Sequence, residues 1–309
     1  MTRAVAPAGV PPITDAEFGR FQALIERTAG IHLHPGKRAL LVSRLARRLR
    51  ELGVGSFGEY YRLVEQRGEE ELIRLLDLVT TNETQFFRER RHFEFLVESV
   101  LPAWRQAAAA GSRPRRVRVW SAGCSTGEEP YSIAMVLLDA LPPQAGWQIE
   151  ILATDLSTRA LARARAGVWP IEKAAGIPLP YLKAFMLRGT GPEAGRMKAG
   201  PELRRVIAFE RMNLADDTWR VAGPFDLVFC RNVLIYFAAE RRARVVERLV
   251  DRLAPGGYLF LGHAEGLCGA SGRVRTVEPT VYVRPGPGGE ARAPGRARPG
   301  RPPAAARVR

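Results

Sequence analysis

The 309-residue chain is poor in cysteine, histidine and lysine, and each shortage excludes something. Its three cysteines, Cys124, Cys230 and Cys268, are odd in number and far apart, so neither a disulfide framework nor a zinc spacing can be built from them. Of its four histidines only His32 and His34 are neighbours. They sit in a turn beside Pro35 and Gly36, and no metal site is expected. No apolar run approaches the ~20 residues that span a bilayer. The opening MTRAVAPAGVPPIT lacks the long apolar stretch of a secretion signal. A cytoplasmic chain with no membrane insertion is therefore expected. Lysine supplies only four of 47 basic residues, Lys37, Lys173, Lys183 and Lys198, and arginine the rest. The formal charge of +15 suggests nucleic acid first. Arginine beside abundant Ala, Gly and Pro is, however, what a GC-rich genome produces without selection for charge. The basic residues are also not interleaved with aromatic stacking platforms. No nucleic-acid partner is expected.

Apolar residues make up 46% of the chain, enough for a sizeable core and two domains of ordinary size. Residues 1–12 read as a flexible start. Thr14-x-x-Glu17 is a capping box opening a helix through about Thr28. A second helix runs from Gly36 to Gly53, Ser56-x-x-Glu59 caps a third, and residues 69–79 form a fourth. No strand signal precedes residue 115, so residues 13–80 predict a small all-helical domain. Residues 81–92 read as a linker.

The pattern then alternates. VRVW (117–120), IEILATD (149–155), FDLVFC (225–230) and YLFLG (258–262) read as strands, with helices over 129–141, 157–166 and 239–253 between them. Strand–helix alternation implies a parallel α/β sheet with right-handed crossovers over residues 93–284. VYV (281–283) suits an edge strand. Residues 168–212 interrupt the alternation with prolines, glycines and tight turns, and predict an inserted antiparallel β-subdomain. Residues 285–309 hold 6 Pro and 5 Gly in 25 positions, the composition of a disordered tail.

The turn after the first strand, Ser121–Glu129, is glycine-rich at Gly123 and Gly127 only. It is not G-x-G-x-x-G and lacks the Gly-Lys-Ser/Thr of a phosphate loop, which argues against a nucleotide triphosphatase. Two glycines permit close backbone approach to a ligand without demanding a pyrophosphate. Asp155, at the carboxyl end of the second strand, stands where an acid accepts hydrogen bonds from ribose hydroxyls; Ser157 can cap the following helix instead of it. Glu129 has two readings that stay open. It completes a capping box with Thr126, or it meets a ligand's ammonium group.

The strings TTNETQFFRE (80–89), WSAGCSTGEEPYSIAM (120–135), ATDLS (153–157), FMLRGTG (185–191), PFDLVFCRNVLIYF (224–237) and LAPGGYLFLGHAEG (253–266) occur in this order. Together they resemble the chemotaxis receptor glutamate O-methyltransferase family, over roughly residues 13–284. The resemblance implies a Rossmann-like methyltransferase sheet with an inserted β-subdomain behind a helical domain. It implies S-adenosyl-L-methionine as cofactor, with contacts at Asn82, Thr84, Arg88, Glu129, Asp155, Asn213, Leu214, Arg231 and Asn232. It also implies glutamate side chains of a methyl-accepting receptor's helical bundle as substrate, and the enzyme is expected to be a monomer. Arg88 offers a planar fork for a carboxylate. Asn213 offers an amide to adenine and Leu214 an apolar wall. Arg88 and Tyr236 are the candidates for orienting the substrate carboxylate, which is already ionised at neutral pH and needs no general base. On the second helix Lys37, Arg44 and Arg48 fall on one stripe, flanked by Arg47, and are expected to dock an acidic receptor. The rival classes are a nucleic-acid methyltransferase, which turnover after nuclease treatment would exclude, and a non-catalytic sensor of the same cofactor, which any turnover would exclude.

Overall fold

The computed structural model describes residues 12–270 and 272–286. The expected flexible start, apart from Pro12, and the expected tail, apart from Pro285 and Gly286, lie outside the described residues.

Four helices open the chain: α1 (Asp15–Ala29), α2 (Arg38–Leu52), α3 (Phe57–Arg67) and α4 (Glu69–Val79). The capping box of α1 is complete. Thr14 Oγ1 accepts from Glu17 N at 3.2 Å, and Glu17 Oε2 accepts from Thr14 N at 2.8 Å. The α3 box is half formed, because Glu59 reaches Gly55 N at 2.8 Å. Gly30 and Gly53, at φ of 69° and 66°, end α1 and α2 in the left-handed conformation that glycine tolerates. Phe21, Ile25, Leu45, Leu49, Tyr60 and Leu75 are fully buried between these helices. Each side chain contributes at most about 1.5–3 kcal/mol of transfer free energy.

The stretch that follows is helical: α5 (Arg90–Phe95) runs through a π-helical turn (Leu96–Val100) into α6 (Leu101–Ala109). Then come β1 (Arg116–Ala122), α7 (Glu128–Ala140), β2 (Gln148–Asp155), α8 (Thr158–Ala166), β3 (Val168–Pro170), α9 (Leu179–Phe185), β4 (Met186–Arg188), β5 (Arg196–Ala199), α10 (Pro201–Arg205), β6 (Ile207–Arg211), β7 (Phe225–Cys230), α11 (Ala239–Asp251), β8 (Leu253–Leu261), β9 (Arg275–Glu278) and β10 (Val281–Val283). The main sheet has seven strands in the order β6-β2-β1-β7-β8-β10-β9. The first five are parallel, and β10 is antiparallel to both its neighbours. Strand order reverses beside β1, where a doubly wound sheet opens a crevice beyond its carboxyl ends.

Two expectations need adjusting. The three-stranded antiparallel sheet β3-β5-β4 forms inside the interruption, but β6 leaves it and pairs in parallel with β2. The inserted unit therefore closes before β6 rather than at residue 212. The VYV strand is not the edge either. It lies between β8 and β9, and the short, polar β9 takes the outer position, shielding the apolar β10.

The two domains are stitched together by named bonds. Asp77 of α4 accepts from Ser157 Oγ at 2.7 Å, Thr158 Oγ1 at 2.5 Å and Arg159 N at 3.3 Å, so a helical-domain carboxylate caps the N-terminus of α8. Asn213 Nδ2 donates to Thr28 O at 2.7 Å, and His32 N donates to Tyr236 O at 2.8 Å.

Candidate active site

A cleft enclosing about 260 Å³ opens beyond the carboxyl ends of β1, β2 and β7. Ile31, His32, Leu33, Lys37 and Leu40 of the helical domain wall its outer side. The nine expected cofactor contacts, Asn82, Thr84, Arg88, Glu129, Asp155, Asn213, Leu214, Arg231 and Asn232, all line it, as does Tyr236.

The floor is the β1–α7 turn. Ser125 adopts φ 50°, donates its backbone N–H to Asp155 Oδ2 at 2.7 Å, and donates its hydroxyl to Asn82 O at 3.0 Å. The turn thus ties the 80–84 segment to the end of β2. The two glycines do different work. Gly123 has φ 88° and borders the cleft, and a Cβ there would lie 2.3 Å from Val233 Cγ2. Gly127, at φ 98°, faces α8, and a Cβ would meet Ala164 at 3.0 Å. Only Gly123 serves the approach to a ligand; Gly127 serves helix packing.

Asp155 is half-buried at the end of β2. Burial raises its carboxyl above the usual aspartate range, and the N–H groups of Ser157 and Ser125 pull the other way. Glu129 does not complete a capping box. Thr126 Oγ1 donates to Glu128 instead, and Glu129 accepts from Ser121 Oγ and from Arg231 Nε, each at 2.7 Å. Arg231 also donates through Nη1 to the backbone carbonyl of Arg88 at 2.6 Å. The guanidinium of Arg88 lies on the cleft wall, held loosely by Glu83 O at 3.3 Å.

Asn213 departs from the expected role. Its Nδ2 is shared between Thr28 O and Asp216 Oδ1, both at 2.7 Å, and its Oδ1 accepts from Ala215 N at 3.0 Å. Its side-chain amide builds the domain junction. Asn232, at φ 60°, keeps its Oδ1 buried with no protein donor. Four of the five non-glycine residues with positive φ among the described residues, Phe87, Glu89, Ser125 and Asn232, flank or line this cleft. Such strain collects where a binding surface must be held in one shape.

Sequence reasoning missed one organiser of the site. Glu265, 1% exposed, accepts from the backbone N–H of Asn232 at 2.7 Å, Leu234 at 2.6 Å and Gly262 at 2.7 Å. It fixes the segment that carries Asn232 and Tyr236. With Ile235 N at 3.3 Å it has four such backbone partners, and within the LGHAEG string a lone acid after a strand gives no sign of them.

The stripe on α2 is divided by its partners. Arg44 donates to Val79 O, to Thr80 O at 3.1 Å and to Thr81 Oγ1 at 2.9 Å, which makes it a brace for the segment leading to Asn82 and Thr84. Arg48 grips the buried Glu71 with two bonds, 2.9 and 2.6 Å. Neither is a free cation on the surface. Arg47, 82% exposed at its side chain, pairs only with Glu51, and Lys37 lies on the rim of the cleft. His34 Nδ1 accepts from Gly36 N at 3.1 Å and caps its own turn.

Two family models match. The model described as "CheR methyltransferase, all-alpha domain" covers residues 16–80, and "CheR methyltransferase, SAM binding domain" covers residues 82–283. The chain is 44% identical over 274 residues to chemotaxis protein methyltransferase 2 of Pseudomonas aeruginosa, covering 87% of this chain and 93% of that protein. It is 41% identical over 272 residues to the chemotaxis protein methyltransferase of Klebsiella aerogenes, covering 88% and 90%. It is 39% identical over 273 residues to that of Escherichia coli, covering 88% and 91%.

Proposed function

Because the chain belongs to the CheR methyltransferase family, we propose that it transfers a methyl group from S-adenosyl-L-methionine to glutamate side chains of chemotaxis receptors, forming methyl esters. The observation that carries this reading is the chemistry of the cleft. Two carboxylates, the buried Glu129 and the half-buried Asp155, a guanidinium, Arg88, and apolar Leu33, Met212, Leu214 and Phe237 converge on one space. Asn232 lines the same space, and its buried Oδ1 has no hydrogen-bond partner.

That set fits the cofactor. Asp155 would accept from ribose hydroxyls, Glu129 from the methionyl ammonium, and Leu214 with Phe237 would cover adenine. When bound, S-adenosyl-L-methionine supplies a methyl group on a positively charged sulfur. The chain's own residues then orient and exclude. Arg88 presents a fork to a carboxylate, and Tyr236 stands on the same wall beside the exposed Ile235. A glutamate side chain has an ordinary pKa of ~4.3 and arrives ionised. Catalysis needs alignment and removal of water rather than proton transfer. The exposed Leu40 of the cleft lining, 37% exposed, would shed water from the attacking carboxylate.

Receptor docking falls to Arg47 on α2 and Lys37 in the turn just before it, the two cations of the expected stripe not spent on the fold. Such a substrate lies in the cytoplasm, and among the described residues no helix is long and apolar enough to cross a membrane. The test is transfer of labelled methyl from the cofactor to receptor-containing membranes, followed by mild alkali. Methyl esters release volatile methanol. Label that survives alkali, or that follows added nucleic acid, would refute the reading.

A further inference from the structure

Behind the cleft lies a buried polar cluster that the proposed reaction does not use. Glu89 follows Arg88 and His92 stands in the first turn of α5; their side chains are 8% and 2% exposed. Arg231 Nη1 faces three acceptors: Arg88 O at 2.6 Å, His92 Nδ1 at 3.3 Å and Glu89 Oε2 at 3.6 Å. Its Nε is on Glu129 at 2.7 Å. The rings of Phe93 and Phe229 lie 5.6 and 5.7 Å from the guanidinium, so it has little water to fall back on.

An arginine can only donate, so the bond from Arg231 requires the tautomer whose Nδ1 is bare, even with Glu89 Oε2 3.4 Å from the same atom. Nδ1 of His92 must be the acceptor. Nε2 then carries the proton and donates to Thr280 Oγ1 at 2.9 Å, whose hydroxyl donates onward to Pro279 O at 2.7 Å. This arrangement needs an uncharged ring. Burial first, then Arg231 and His263, push the His92 pKa down to about 3. Glu89 Oε2 has no hydrogen-bond partner and lies 3.4 Å from His92 Nδ1 and 3.6 Å from Arg231 Nη1.

Glu89, His92 and His263 also bring their ligand atoms within 4.8 Å of one another, a spacing compatible with a metal ion. Arg231 argues against that use. The Nδ1 that would bind the ion is the one aimed at the guanidinium, and a dication there would be repelled at short range.

The geometry points to His92 as a positioning residue for the cofactor: its Nδ1, backed by the charge of Glu89, holds Arg231 so that Arg231 sets both the Glu129 carboxylate and the Arg88 backbone in the cleft. This rests on the reading of Glu129 as a cofactor contact. It goes further by adding a second layer, contributed by α5, that touches no ligand. His92 is thereby distinguished from a core histidine satisfied by packing, since only one of its two nitrogens should matter to the cofactor.

The test uses the full chain and calorimetric affinity for S-adenosylhomocysteine, with Glu129→Gln as the control for the cofactor reading. His92→Asn places an amide oxygen near the Nδ1 position and keeps the acceptor. His92→Gln places an amide nitrogen near the Nε2 position and keeps the donor to Thr280. Affinity in His92→Gln should fall about tenfold, which is ~1.4 kcal/mol. His92→Asn should stay within about threefold of wild type. Receptor KM should be unchanged in both. Equal losses in the two variants, or no loss in His92→Gln while Glu129→Gln binds weakly, would overturn the proposal. Wild-type affinity in Glu129→Gln would instead remove the cofactor reading on which it stands. Weaker binding after chelation, restored by zinc, would show a metal site and also overturn the proposal.

Discussion

Replacing Arg48 with alanine should unfold the helical domain before it disturbs receptor binding. Arg48 donates to both oxygens of Glu71, whose side chain is 2% exposed, and Tyr60 OH adds a third bond at 3.1 Å. Truncation leaves a buried carboxylate with one neutral donor. Breaking such a pair costs about 3–5 kcal/mol, and the lower end applies because Arg48 is 22% exposed and water can follow the truncation. About 3 kcal/mol corresponds to a fall in Tm of roughly 6–12 °C for a chain of this size. The loss should depend on pH. Arg48 holds the Glu71 carboxyl below its usual range, against the opposing effect of burial. The pair's contribution is therefore fully present above the ordinary glutamate pKa of ~4.3 and disappears as pH falls through the lowered value. In Arg48→Ala the burial remains without the partner, so protonation relieves the variant as it weakens the wild type. The gap in Tm should narrow as pH falls below the ordinary glutamate value. Differential scanning calorimetry between pH 3.5 and 7.5 measures it. A variant that melts within about 1 °C of wild type at pH 7 but shows a raised receptor KM would refute the argument and return Arg48 to the docking surface.

Charge reversal of Lys37 and Arg47 should leave Tm and cofactor affinity in place while raising the receptor KM several-fold and flattening its salt dependence; an unchanged salt slope in a transfer assay refutes it. Asp155→Asn should weaken S-adenosylhomocysteine by more than tenfold, since it loses a charged acceptor and sets an N–H against Ser125 N or Ser157 N; calorimetry showing wild-type affinity would remove it from the site. Arg88→Lys should fold normally and lose most turnover, because an ammonium cannot reproduce a bidentate fork; near-normal kcat would show that charge alone suffices.

The helices and parallel strands were legible because each rests on local signals: Thr14, Ser56 and Ser157 as caps, Gly53 and Gly167 as stops, and an apolar period that switches from helix to strand near residue 116. The helix over 90–109 carried the same signal in the buried Phe93, Leu96, Val100, Leu101 and Trp104, but Pro102 and the absence of a cap obscured its start. Glu89 enters it in a left-handed conformation that composition does not announce. The site residues were legible as members of motifs, whereas their partners were not. Nothing in sequence links Asp77 to Ser157, Glu265 to Asn232 or Arg48 to Glu71, since those pairings exist only once two or three elements have packed. The α2 stripe shows the cost. Angular position on a helix placed Arg44 and Arg48 with Lys37, but it cannot tell a solvated guanidinium from one bonded to a neighbouring helix.

The carboxylate of Asp77 at the head of α8 has a bearing on how this enzyme can be rebuilt. Receptor preference invites the exchange of helical domains between relatives, with a natural seam at residue 80 or 81. That seam severs the support of three cleft-forming segments at once: Asp77 beneath α8 and Asp155, Arg44 behind Thr80 and Thr81, and Thr28 under Asn213. A chimera keeps its catalytic wall only if the incoming domain brings an acid at the end of its fourth helix and an arginine matching Arg44. A graft should therefore carry the counterparts of Thr28, Arg44 and Asp77 with it, so that the bonds to Asn213, Thr81 and Ser157 re-form.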